Sequence, residues 1–474
     1  MSFKRNTLAA SIALALAAPL GAQAADSAEL AQIRDQIRQM KESYEVRIQS
    51  LEKRLQQAEE KAVVSAEVKV PSHPSDAQDS ALRTQRSALS TQRSALASGA
   101  FNPEMSLILS GTYGRSSADV AERQLTGFMP ALGHGHGGFN KGFGLSESEL
   151  VLSANIDPWW RGYATIALSP DNEVTVEEAA VENSALGNGL SLKAGRFFSG
   201  IGYLNEQHPH AWDFADAPLA YRAFLNGNYA HDGVQAKWLA PTPLFLEFGA
   251  EAGRGARFPG AEQSKNGPGA TALFAHTGGD VGDSHAWRAG LSYLRSEAKG
   301  RLGHADDLAG VEVENAFSGT SKTWVADFVW KWAPHGNATR TSFKLQGEYF
   351  RRKEGGDLTY DVNAASLGAA TDAYSSSQSG GYLQGVYQFM PRWRAGLRYD
   401  RLDAGSVDYA ANNDNLDRPD FKPSRSSLMF DYNPSEYSRM RLQLNRDRSM
   451  QGIDENQVLL QYIMSLGSHG AHKF

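Results

Sequence analysis

The chain has 474 residues, a formal net charge of −6 and no cysteine. The modest acidity argues against a nucleic-acid partner. The lack of thiols excludes disulfide frameworks and thiolate metal centres.

The first residues carry a basic pair, Lys4 and Arg5, then an apolar run from Leu8 to Leu20, then Ala22-Gln23-Ala24. A charged n-region, a short h-region and an A-x-A site predict a signal peptide over 1–24. No later segment has the ~18 consecutive apolar residues of a membrane helix. This leaves membrane β-barrels open, because their strands alternate and are not apolar on average.

Residues 25–64 are expected to form a coiled coil. Leu30, Ile33, Ile37, Met40, Tyr44, Ile48, Leu51, Leu55 and Ala58 follow three- and four-residue steps, with one stutter after Tyr44. Residues 65–104 read as a low-complexity linker, including the duplicate TQRSALS and TQRSALA.

From 105 to 474 the period becomes two. In QVLLQYIMSL, Val458, Leu460, Tyr462, Met464 and Leu466 share one face, and Gln457, Gln461 and Ser465 the other. Met440, Leu442 and Leu444 alternate with Arg439, Arg441, Gln443 and Asn445 in the same way. So do Trp393, Ala395, Leu397 and Tyr399 with Arg394, Arg398 and Asp400. Aromatic residues gather near turns (Trp159, Trp160, Trp332, Phe389, Trp393 and Tyr432), and the chain ends on Phe474. Membrane barrels place such aromatics at headgroup level.

Short connections at 156–159, 186–189, 240–243, 278–283, 333–337, 390–392 and 433–435 alternate with long ones. The long ones are 115–145, 199–227, 255–268, 298–321, 353–378 and 403–423. With ATALFAHT (270–277) taken as a weak strand, the count is about 16. The expected fold class is therefore all-β: a transmembrane antiparallel β-barrel preceded by an α-helical coiled coil. Both ends of the barrel segment would lie in the periplasm, and the lumen of such a barrel is wide enough for an aqueous channel.

The stretches SELVLSANIDPWWRGYATIALS and LKAGRFFSGIGYLNEQH resemble the phosphate-selective porin family. FNPEMSLILSGTY, HAWDF and QYIMSLGSHGAHKF are more similar to a group of porin-like proteins, some labelled zinc-regulated or TonB-dependent outer-membrane receptors. The resemblance implies a trimeric, sixteen-stranded channel with its third long connection folded into the pore. A plugged receptor barrel of 22 strands does not fit residues 105–474, and no arginine ladder matches residue by residue.

The alternation assigns Glu147, Glu149 and Glu177 to an acidic sector of the lumen, with Lys193 as counter-charge. It assigns Arg288, Lys344, Arg394, Arg398, Arg425, Arg439 and Arg441 to a basic sector, diluted by Glu348, Asp400 and Asp431. Such segregation predicts a transverse field that filters hydrophilic solutes. Glu178 and Arg196 break the pattern on adjacent strands. Either a bulge re-aims them or they pair with each other at a protein-covered wall.

The pore loop is expected to use Glu206, His208, His210, Asp213 and Asp216, with the two aspartates as fasteners. Further histidine pairs are His134 with His136 and His469 with His472. Imidazole and carboxylate suit Zn²⁺, so His134, His136, His208 and His210 are candidate ligands of a weakly bound zinc ion. A plain polar loop is the competing reading, and no obligate cofactor is expected. Ser199, His208 and Asp213 share one loop, but three such residue types meet readily by chance, and no enzymatic activity is expected.

The sequence thus points to a Gram-negative outer-membrane porin, a passive aqueous channel for small hydrophilic solutes, anions among them. Its expected partners are outer-membrane lipid, two further copies of itself and its solutes, with the cell wall reached through the coiled coil. A transition-metal uptake protein and a structural envelope protein are the alternatives.

Overall fold

In the computed structural model, the described residues are 104–119, 124–129, 141–169, 173–261, 265–418 and 420–467. The signal-peptide, coiled-coil and linker readings fall outside them, as do His134, His136, His469, His472 and Phe474.

The described chain forms one antiparallel sheet that closes on itself. Its strands are β1 (Glu104–Ser116), β2 (Gly142–Leu145), β3 (Ser148–Asn155), β4 (Trp160–Leu168), β5 (Val174–Asn183) and β6 (Leu190–Phe198). After a long insertion come β7 (Ala230–Leu239), β8 (Phe245–Gly253), β9 (Ala270–Val281), β10 (His285–Asp306), β11 (Glu312–Trp332) and β12 (Ser342–Tyr360). The sheet ends with β13 (Ala370–Met390), β14 (Trp393–Asp408), β15 (Ser424–Ser435), β16 (Ser438–Arg448) and β17 (Glu455–Gly467). From β3 to β17 each strand pairs with its neighbours in sequence, and β1 pairs with β17 to close the barrel, Leu107 facing Leu466. The pieces β2 and β3 pair in turn with β1, at Gly111↔Leu145 and Ile108↔Glu149. They are one wall strand interrupted at Ser146 and Glu147, so the barrel has sixteen strands. Closure leaves the sheet without an open edge.

The alternation sorts side chains between two faces. On β17, Glu455, Gln457, Leu459, Gln461 and Ile463 are buried inside, while Leu460, Tyr462 and Leu466 are exposed outside. The same holds on β14, where Leu397 and Tyr399 are exposed and Arg398 and Asp400 are buried. Exposed apolar residues recur around the wall, among them Leu273, Leu291, Leu383 and Leu444. At the short-turn end Trp159, Phe389 and Trp393 are exposed, and the rings of Trp393 and Tyr432 lie 4.6 Å apart. The first and last strands start and finish at this end, where Glu104 faces Ser153 and Ser106 faces Gly467.

At the opposite end the expected loops are too long. Strands β10 to β13 run for 22, 21, 19 and 21 residues, about twice what a tilted strand needs to cross a bilayer. The expected loop 298–321 is a hairpin whose turn spans only 307–311, and the loop 353–378 shrinks to 361–369. The short connection expected at 278–283 is mostly strand as well, because β9 continues to Val281. Beyond the belt of exposed apolar residues both faces of a strand are polar, so the alternation fades although the pairing continues. These hairpins enclose a cluster of Val313, Phe317, Leu358, Tyr360, Tyr374, Tyr409 and Leu416. Beside it, Arg301 makes a bidentate pair with Glu354 at 2.7 and 3.0 Å.

The insertion between β6 and β7 folds inward. Its helix α1 (Leu219–Leu225) buries Leu219, Ala220, Tyr221, Ala223, Phe224 and Leu225. They pack against Leu294, Val325, Phe350, Tyr382 and Leu402 of the inner wall. Pro218 precedes the helix and Asn226, in the left-handed conformation with φ 56°, ends it. An apolar core inside the barrel, rather than between sheets, is what holds this loop away from the barrel mouth.

Candidate constriction site

Asn205 closes the neck of the loop. Its amide donates to the carbonyls of Ser199 (2.7 Å) and Tyr229 (2.9 Å), and its oxygen accepts from the Tyr229 N–H at 2.7 Å. From this neck the loop reaches several sectors of the wall.

Toward β8, the Gly200 N–H donates to Glu251 at 2.9 Å, and Ser199 bonds the same carboxylate. Toward β12, the N–H groups of Tyr203 and Leu204 donate to Glu348 at 3.1 and 3.0 Å, and the hydroxyls of Tyr221 and Tyr382 bond the same group. Gly202 makes this approach possible. Its φ is +68°, and a Cβ there would stand 2.3 Å from Glu348 Oε2.

Toward β12 to β16 the loop is held by charge. Asp213 pairs with Lys344 and with Arg394 (3.1 Å). Asp216 pairs with Arg398 (2.5 Å) and Arg425 (3.1 Å) and accepts from Gln443 (2.8 Å) and Asn445 (3.1 Å). Burial opposes the charge on Asp213, but Lys344 and Arg394 overcome it and hold the carboxyl below its usual range. Asp216 is held low in the same way, burial being outweighed by Arg425 and Arg398. Backbone carbonyls are used too: Arg425 donates to Ala217, Arg439 to His210 and Trp212, and Arg441 to Trp212.

These contacts correct the expected basic wall. Arg398, Arg425 and Arg441 are on the inner face, but their side chains are 1–2% exposed and covered by the loop. Arg288 lies over the ring of Tyr203. Lys344, Arg394 and Arg439 keep about a fifth of their side chains accessible, at 22%, 20% and 22%, and Arg288 is also only partly buried. A side chain that fastens the loop cannot also offer its full charge to a passing solute.

Toward β3 and β5 the loop meets acids. His210 Nδ1 is 2.8 Å from Glu149 Oε1, and His208 Nδ1 is 3.1 Å from Glu177 Oε2 and 3.3 Å from Glu149 Oε2. His208 Nε2 faces Glu178 Oε2 at 3.0 Å. Burial disfavours a charge on His208, yet Glu149, Glu177 and Glu178 outweigh it and raise its pKa above the ordinary histidine value. Glu206 is partly buried on the same loop, and Glu147 stands at the break between β2 and β3.

Glu178 was one of two charges on the wrong face. The register resolves it: Thr165 opposes Glu178 and Ile166 opposes Val176, which leaves Glu177 as a bulge. Glu178 therefore turns inward, accepting from the Phe198 N–H at 3.0 Å. Arg196 does not pair with it. Arg196 pairs with Asp232 of β7 at 2.6 Å, both about a third exposed.

The conceivable triad does not assemble: Ser199 bonds Glu251, His208 bonds Glu177 and Glu178, and Asp213 bonds Lys344 and Arg394. Sequence reasoning missed Glu178 and Glu251 as contacts of the loop. Alternation alone could have flagged Glu251, which is buried on β8.

An uncharacterised protein of Aquifex aeolicus is 34% identical over 404 residues, covering 79% of this chain and 80% of the relative. The chain belongs to the same family as that protein. No family model matches. Among solved structures, Pseudomonas putida OprB at high pH matches with a TM-score of 0.47 and 15% identity, over 80% of this chain and 97% of that one. The trimer form of Vibrio cholerae OmpT, an outer membrane protein, gives 0.46 and 10%, over 77% and 100%. An anion-selective porin from Comamonas acidovorans gives 0.45 and 11%, also over 77% and 100%.

Proposed function

We propose that this protein is an outer-membrane porin, a passive aqueous channel narrowed by the loop between β6 and β7. The observation that carries this reading is the loop itself, fastened inside a closed barrel whose outer face is apolar and whose inner face is charged. A barrel built only as an anchor has no need of a charged waist. Lipid contacts the apolar band, and the short-turn end faces the periplasm, where the segment 25–64 would then stand.

Small hydrophilic solutes are the fitting cargo. Partly accessible cations of the inner wall, including Lys344, Arg394 and Arg439, support a preference for anions among them. The Arg196–Asp232 pair on the outer face of β6 and β7 supports self-association, as a trimer, through this side. Charged groups are costly against lipid and cheaper against protein.

Liposome swelling tests the channel reading. Vesicles carrying the purified protein are expected to swell in small neutral sugars and to exclude larger oligosaccharides. Vesicles that behave like protein-free controls would contradict it.

A further inference from the structure

Two imidazoles and three carboxylates meet where the loop reaches β3 and β5. We propose that Glu149, Glu177 and His208 Nδ1 form a site for one divalent transition-metal ion of the zinc class.

The spacing fits. Nδ1 stands 3.1 and 3.3 Å from one oxygen of each carboxylate, and the three donor atoms lie within 4.8 Å of one another. Donors on a tetrahedral zinc ion with bonds of about 2.0–2.1 Å stand about 3.3 Å apart.

A proton does not satisfy the arrangement. One N–H at Nδ1 faces two carboxylate oxygens, and Glu149 Oε2 is buried without a hydrogen bond. Orphaned buried acceptors of this kind are uncommon. A cation at the centre would serve both oxygens at once.

The surroundings are arranged as metal sites commonly are. A ligating histidine usually gives its other ring N–H to a carboxylate, which fixes the tautomer and the ring orientation. Glu178 takes that place behind His208, 3.0 Å from Nε2, and is itself held by the Phe198 N–H. His210 holds Glu149 through its second oxygen at 2.8 Å. The Phe198 ring packs 4.8 Å from the His208 ring. The bulge at Glu177 is what lets two consecutive glutamates serve this one place.

Charge points the same way. Glu149, Glu177 and Glu178 gather three carboxylates around His208 in a buried setting, an arrangement that suits a divalent cation. Imidazole with carboxylate selects Zn²⁺, Ni²⁺ or Cu²⁺ over Ca²⁺ or Mg²⁺, which want oxygen-only shells. The site stands independently of whether the lumen conducts.

The test is Zn²⁺ titration of the full-length, detergent-purified, chelator-treated protein, with bound metal measured after dialysis. One Zn²⁺ per chain is expected. Glu177→Gln and Glu149→Gln, nearly isosteric, should each weaken binding at least about tenfold, while a His134→Ala/His136→Ala double variant should bind like the parent. Heat-modifiable migration on gels checks that each variant keeps its barrel. Absence of stoichiometric Zn²⁺ overturns the site, as does binding that survives Glu177→Gln in a folded barrel or vanishes in the His134/His136 variant. Conductance without zinc binding would sink this inference and leave the channel intact; zinc binding without conductance would do the reverse.

Discussion

Asp216 of the inserted loop and Arg398 of β14 are joined twice. Nη2 of Arg398 meets the Asp216 carboxylate at 2.5 Å, and Nη1 donates to the Asp216 backbone carbonyl at 2.9 Å. Arg425 reaches the other carboxylate oxygen at 3.1 Å. The two guanidinium groups are buried, and Asp216 shares their compensation with Asp400, which lies 3.0 Å from Arg398 Nε. Removing one member of a buried ion group costs about 3–5 kcal/mol where the remaining charge is left uncompensated, and less where a second partner such as Asp400 stays in place.

Asp216→Asn should therefore loosen the loop without opening the barrel. Limited proteolysis is expected to cut within 199–229 in the variant and not in the parent, with heat-modifiable migration retained. Equal protection of both proteins would show that the apolar packing of α1 alone holds the loop.

Gly202→Ala tests the approach to Glu348. The alanine would carry a positive φ and place its Cβ where Glu348 Oε2 lies. A non-glycine residue in that region costs about 1–3 kcal/mol before the clash is counted. The expected result is a lower melting temperature and noisier channel openings. A variant with parental melting would mean that the loop adopts a different path near residue 202.

The aspartate clamps set a pH range. Asp213 and Asp216 have carboxyls held below their unfolded value of about 3.9. A depressed folded value contributes stability that is complete above the unfolded value and is lost as pH falls through the folded one. Loop protection against an acid-active protease should then be constant from neutral pH to about pH 4 and decline only in stronger acid. Loss of protection already near neutral pH would contradict the clamp.

Selectivity should separate from anchoring. Arg439 keeps 22% of its side chain accessible, whereas Arg441 keeps 1%. Arg439→Gln is expected to lower the anion-to-cation permeability ratio, read from reversal potentials in a salt gradient, with only a small loss of loop protection, since its bonds to the His210 and Trp212 carbonyls are long. Arg441→Gln should change protection more than selectivity, since it unties the Trp212 carbonyl and Asp431. Identical effects of the two substitutions would remove the distinction between exposed and covered arginines.

Much of the barrel was legible because an apolar outer face and a polar inner face force a two-residue period. Leu460 with Gln461 and Leu397 with Arg398 show it plainly. The tall hairpins were not legible. Runs such as 295–301 and 351–357 are polar on both faces, and only pairing across to Gly319 or Ser377 reveals them as strand. Glu178 was visible as an exception, but the bulge that turns it inward depends on a register with β4 that spacing does not encode. Asp213 and Asp216 were read as fasteners, yet their partners come from residues more than a hundred positions away. For the same reason the covering of Arg398, Arg425 and Arg441 could not be read. It is a property of the loop's path and not of the strands that carry them.

Single-channel recording in planar bilayers tests the central claim most directly. The purified protein is predicted to insert as discrete, ohmic conductance steps, smaller than an unobstructed sixteen-stranded barrel would give and larger in Asp216→Asn. Folded, heat-modifiable protein that inserts without conductance in both forms would contradict the account.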